Sequence, residues 1–146
     1  MKDSTICLEI LRELSKLTDI FCAPSAINPT ATPSIYIPPL AEEAVNKPGS
    51  CLLVTDDDKK ALAVCERGIP CVAFVGLLKW VEDRSRHWHE LDKINWNARG
   101  VILVPDMETW LPENHLWFDA WCSINNELDS RGAEVYRSAL IPQRRL

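Results

Sequence analysis

Three short apolar runs constrain this chain more than any other feature: "CLLVT" (51–55), "PCVAFV" (70–75) and "GVILVPD" (100–106). Their apolar residues follow one another without alternating with polar ones, which predicts strands buried on both faces. Helical patterns separate and follow them. Residues 58–67 place Ala61, Leu62 and Cys65 inward and reach Gly68 where a helix stop belongs. Residues 115–131 repeat Trp117, Trp121, Ile124 and Leu128 as one stripe and end at Gly132. "AEVYRSALI" (133–141) supplies a last strand. Apolar strands alternating with helices predict an α/β fold, a mainly parallel sheet of about four strands with helices on both faces.

The first third of the chain has a different texture. Asp3 or Ser4 is placed to cap a helix in which Ile6, Ile10, Leu11, Leu14 and Leu17 recur at helical spacing. From Cys22 to Ser50 come six of the ten prolines, which predicts an irregular arm. Within it, "SIYI" (34–37) reads as a short extended piece and "LAEEAV" as a helical turn. The organisation expected is therefore an N-terminal helix and proline-rich arm over 1–49, then an α/β domain over 50–146. A chain of 146 residues can bury one substantial core.

Charge and cysteine usage narrow the function classes. A formal net charge of -5 argues against a nonspecific nucleic-acid binder that works through bulk positive charge, and leaves open a local basic face or a metal-mediated contact with phosphates. The six cysteines contain no C-x-x-C pair and fall mostly at apolar positions, where a thiol acts as a small hydrophobe. The N-terminus is charged throughout, and no apolar run reaches the ~18–20 residues of a membrane span. These features predict a reduced, cytoplasmic protein without disulfides and without a membrane partner.

Chemistry is expected at the carboxyl ends of the strands, where loops and helix N-termini converge in open parallel sheets. The first strand runs into Asp56-Asp57-Asp58, and the third into Pro105-Asp106-Met107-Glu108. If the two strands are neighbours, Asp56, Asp106 and Glu108 meet in one small volume. Carboxylates gathered without His or Cys select a hard cation, Mg²⁺ or Mn²⁺. Against this stands helix capping, which alone accounts for acids at a helix start, with Asp58 the best placed for it. Lys59 and Lys60 could contact a phosphate or form a solvated helix face. The histidines of "HWHE" (87–90) lie on different sides of a helix and lack cysteine partners, which argues against zinc. Trp80 and Trp110 could flank a cleft, although packing accounts for them better, and Arg84, Arg86 and Arg99 form a scatter of basic residues.

Two stretches, "VTDDDKKALAVCERGIPCVAFVGLLKW" (54–80) and "NARGVILVPDMET" (97–109), keep the order of acidic turn, "GIP" strand, G-x-x-x-W loop and acidic strand end. In this they resemble the Toprim domain of bacterial-type primases, topoisomerases and small nucleases, above all the Toprim-like domains of plasmid and phage primase or helicase proteins. The resemblance covers roughly residues 50–142 and includes "LDSRGAEVYRSALIP" (128–142) as the closing helix and strand. It departs in the acids themselves: Asp56 stands for the family's glutamate, Asp57 for its glycine, and Asp106 and Glu108 for its two aspartates. The resemblance implies Asp56 as general acid or base, and a Mg²⁺ or Mn²⁺ ion held by Asp106 and Glu108 with Asp56. Lys59, Lys60 and Trp80 would be the substrate contacts. It implies nucleic-acid metabolism of a mobile element, by phosphodiester hydrolysis or nucleotidyl transfer. The alternative is a catalytically degenerate module docking on a replication, recombination or defence protein.

Overall fold

The computed structural model describes residues 4–22, 32–82, 88–105 and 115–137. Its centre is a five-stranded sheet in the order β1-β3-β2-β4-β5, formed by Ser34–Tyr36 (β1), Leu52–Thr55 (β2), Cys71–Val75 (β3), Gly100–Leu103 (β4) and Glu134–Arg137 (β5). β2 is parallel to both β3 and β4, and β4 is parallel to β5. The sheet is thus mostly parallel, as the apolar runs predict. The fifth strand comes from the proline-rich arm: β1 pairs antiparallel with β3, Ile35 opposite Phe74. Pro38 and Pro39 follow after Ile37, and residues without an N–H cannot continue a ladder, so the added edge strand stays short.

The helices and turns divide between the two faces. α1 (Ser4–Glu13), a 3-10 turn (Leu14–Leu17) and α2 (Thr18–Phe21) precede β1, and α3 (Glu42–Asn46) follows it. α4 (Asp58–Glu66) joins β2 to β3. α5 (Lys79–Glu82) and a 3-10 turn (Trp88–Lys93) lie between β3 and β4, and α6 (His115–Ser130) precedes β5. No helix among the described residues is long and apolar enough to cross a membrane.

Strand alternation sends Leu52, Val54, Val72, Phe74, Val101 and Leu103 to one face. There they pack with Trp80, Leu91, Trp96 and the α6 stripe of Ala120, Trp121, Ile124 and Leu128. Trp117 is partly buried against the same cluster. The Phe74 ring stacks on Trp80 at 5.2 Å between centroids and meets Trp96 edge-on at 6.1 Å. Both indoles also bury their N–H groups usefully, Trp80 donating to the Val75 carbonyl at 2.9 Å and Trp96 to Leu91 at 2.8 Å.

The opposite face is built from smaller residues. Cys51, Leu53, Cys71, Ala73, Ile102 and Val104 meet Cys7, Leu14, Leu17, Ile20 and Phe21 from the N-terminal segment and Ala61, Val64 and Cys65 from α4. The first 49 residues therefore contribute to both halves of the core. In α4 it is Val64 that completes the inward stripe, while Leu62 lies at its edge, 37% exposed. Residue 62 lies about 100° round the helix from Ala61, whereas 64 and 65 return to its side. The cysteines also depart from expectation: Cys7 and Cys51 are joined by a disulfide, and Cys22, Cys65, Cys71 and Cys122 are free thiols. Folding brings the start of α1 onto the start of β2, a proximity that separations along the chain do not reveal.

Candidate functional site

β2 and β4 are hydrogen-bonded parallel neighbours, with Val54 opposite Leu103, so the condition for their acidic ends to approach is met. The next rung is also formed, Val104 N–H donating to the Val54 carbonyl at 2.8 Å. The same offset sets Asp56 level with Pro105. After β2 the chain enters α4 on the small-residue face, whereas the helix following β4, α6, lies on the aromatic face. Neighbouring parallel strands whose connections leave to opposite faces open a crevice beyond their carboxyl ends. Thr55 and Asp56 stand at that crevice.

Thr55 is fully buried, and its hydroxyl has no hydrogen-bond partner among the described residues. A buried hydroxyl without an acceptor forgoes the bonds it makes in water, at about 1–3 kcal/mol. Asp56 is half-buried, with both carboxylate oxygens shielded from solvent. Two oxygen-bearing side chains are therefore withheld from bulk water at the strand tip.

The start of α4 differs from expectation in one respect. Asp57, not Asp58, is the N-cap: its Oδ1 accepts from the Lys59 and Lys60 N–H groups at 2.8 and 3.3 Å. Asp58 is the first helical residue, and its Oδ1 also accepts from Lys59 N–H at 2.8 Å. Asp57 has φ -129 and ψ 120, extended backbone that any residue adopts, so this turn does not call for glycine. With two carboxylates on these amides, the helix start is closed to an anion and the surroundings of Asp56 are made more negative.

The remaining predicted site residues divide sharply. Lys59 is exposed on the first turn of α4. Lys60 is buried, and its ammonium donates to the Phe21 carbonyl at the end of α2, at 3.2 Å. Trp80 is wholly inside the aromatic cluster, the packing role that suits it best. Asp106 and Glu108 lie outside the described residues, as do Arg84, Arg86, His87 and Trp110. Among the described residues, no three His, Cys, Asp or Glu side chains gather as a metal-binding group.

Sequence reasoning missed two residues. Thr55 reads simply as the end of an apolar run. Arg99 is almost fully buried, not part of a basic scatter. Its guanidinium donates to the carbonyls of Asn95, Ala44, Ser50, Val45 and Lys47, at 2.8 to 3.4 Å, tying the end of α3 and the loop entering β2 to the start of β4. No acid accompanies it in sequence, and a guanidinium satisfied by carbonyls leaves no pattern to find. Burial holds its proton affinity below the ordinary arginine value.

Compared with known proteins, the chain matches no family model, no curated protein and no solved structure.

Proposed function

We propose that this chain is a Toprim-like domain acting in the nucleic-acid metabolism of a mobile element, in the cytoplasm. One observation carries the reading: the acidic end of β2 lies beside the end of β4, at the crevice where their connections part to opposite faces. The donors fit a hard cation, since Asp56 offers a shielded carboxylate, Thr55 a hydroxyl without a partner among the described residues, and neither His nor Cys adjoins them in sequence. Asp106 and Glu108, following β4, would complete the oxygen set. A bound Mg²⁺ or Mn²⁺ would neutralise charge on a phosphate oxygen and acidify a water molecule. Asp56 would orient or deprotonate the attacking group, and Lys59 would meet the nucleic-acid backbone. The reaction is then phosphodiester hydrolysis or nucleotidyl transfer.

Two placements favour a second reading, a domain that has lost catalysis and docks on a replication, recombination or defence protein. Lys60 and Trp80, which the resemblance makes substrate contacts, are engaged within the fold. Calorimetry with Mn²⁺ tests the cation site: the parent binds and Asp106→Asn binds at least about tenfold more weakly, since one charged ligand of a few is removed. Absence of binding by the parent removes the metal claim. Mn²⁺-dependent cleavage of single-stranded DNA that Asp56→Ala abolishes would rule out the docking-only reading.

A further inference from the structure

The Cys7–Cys51 bond joins α1 to the residue before β2, and both sulfurs are buried in the small-residue layer. Gly100, the first residue of β4, provides their seat. A Cβ built there would collide with the Cys7 sulfur and lie 3.8 Å from that of Cys51. Gly100 has no positive φ, so what its lack of a side chain supplies here is room.

The joined segment also lies over α4. Phe21 accepts from the Lys60 ammonium, while Arg67, just past α4, donates to the Lys16 carbonyl and pairs with Asp19. Lys60 sits four residues after Asp56. Whatever lifts the segment therefore withdraws the Phe21 carbonyl from the Lys60 ammonium.

We propose that Cys7 and Cys51 form a reversible redox latch: the disulfide holds the α1–α2 segment down over α4, and reduction lets it open and expose Lys60. Oxidation uses glutathione disulfide. One thiol, as thiolate, attacks it, releasing one glutathione thiol and leaving a mixed disulfide. The second cysteine then displaces the second glutathione, so two protons and two electrons pass from the protein to glutathione. The pairing is set by geometry: folding brings Cys7 and Cys51 to 5.7 Å between Cα atoms, within disulfide reach, while the Cys65 thiol is turned to the Cys71 carbonyl. Leu14, Leu17, Ile20 and Phe21 hold the segment by apolar burial in addition to the bond, so reduction should loosen it over an intact sheet. The latch acts independently of whether the acidic crevice binds a metal.

The test uses the full chain, equilibrated in reduced and oxidised glutathione. Alkylation followed by mass spectrometry should find six free cysteines in the reduced protein and four in the oxidised one, with a Cys7–Cys51 peptide. Amides of α1 should exchange with deuterium at least about tenfold faster after reduction, and acetic anhydride should acylate Lys60 correspondingly faster. The Cys7→Ala/Cys51→Ala variant should match the reduced parent at every redox poise, while Cys71→Ala should still respond. Gly100→Ala should form the bond more slowly. The proposal is overturned by a missing Cys7–Cys51 peptide, by a bond that glutathione cannot reduce without denaturant, or by equal α1 exchange and Lys60 acylation in both states.

Discussion

The two faces of the sheet solve the same problem differently. The aromatic face fills its layer with volume: Phe74, Trp80, Trp96 and Trp121 interlock, and α6 covers them. The opposite face has Ala61, Ala73 and four cysteines where the first has indoles, so its layer is built from smaller side chains. It adds directed connections instead, the Cys7–Cys51 bond, the Lys60–Phe21 contact and the Arg67–Asp19 pair. Cysteines 44 positions apart close a loop for which the chain-entropy treatment gives about 4 kcal/mol. That is of the order of a large core side chain. The comparison teaches that a thin layer can be held by tethers where a thick one is held by packing, and that only the thin one can be loosened chemically.

The largest effect should come from the thick face. Trp80→Ala removes a wholly buried indole, its stack on Phe74 and its bond to Val75. A loss of about 3–5 kcal/mol is expected, read as a fall of roughly 10 °C in Tm by calorimetry. A loss below about 1 kcal/mol would mean that this face does not depend on interlocked volume.

The thin face should fail in the opposite direction, on addition and not on removal. Ala73 lies between Thr55 and Tyr36 in the register, fully buried within the small-residue layer. Ala73→Val raises strand propensity yet places two methyl groups against a close-packed layer, and should cost about 1–3 kcal/mol in urea unfolding. A neutral or stabilising result would show slack in that layer.

The contrast between the faces also explains what could be read in advance. The three apolar runs identify β2, β3 and β4 because a strand buried on both sides must be apolar at every position. The α6 stripe is legible because its period is that of a helix. β1 was visible only as an extended piece, since nothing local to "SIYI" records that Val75 and Ala73 offer an open edge. At the site, the positions of Asp56 and the cap were legible from the strand-to-helix transition. Which aspartate caps, the buried hydroxyl of Thr55 and the burial of Lys60 were not, because each depends on a segment remote in sequence or on one backbone angle. Cys7–Cys51 is the extreme case: two cysteines at apolar positions look like core in any chain, and only the space above Gly100 distinguishes them.

The smallest effect concerns the rim of the thick face. Glu90, in the 3-10 turn, accepts from Lys93 Nζ at 2.7 Å and from the outward N–H of Ile35 at 3.4 Å, covering the open edge of β1. Burial pushes its carboxyl up, but the Lys93 hydrogen bond and charge, with the Ile35 N–H, outweigh this and hold it below its ordinary value. Asp19 on the thin face is also held low, chiefly by its hydrogen bond from Arg67, but its carboxylate is far more exposed than that of Glu90. A carboxyl whose folded value is depressed contributes stability above its unfolded value, and that contribution disappears as pH falls through the folded one. Glu90→Gln keeps an acceptor and removes the charge. It should therefore reduce the stability lost between pH 7 and pH 3.5 by about 0.5 kcal/mol. The reduction should survive 0.5 M salt, whereas that of Asp19→Asn should fade because exposed charges are screened. Urea unfolding at both pH values and both salt levels checks this, and identical salt sensitivity in the two variants would erase the distinction between a covered rim and an open one.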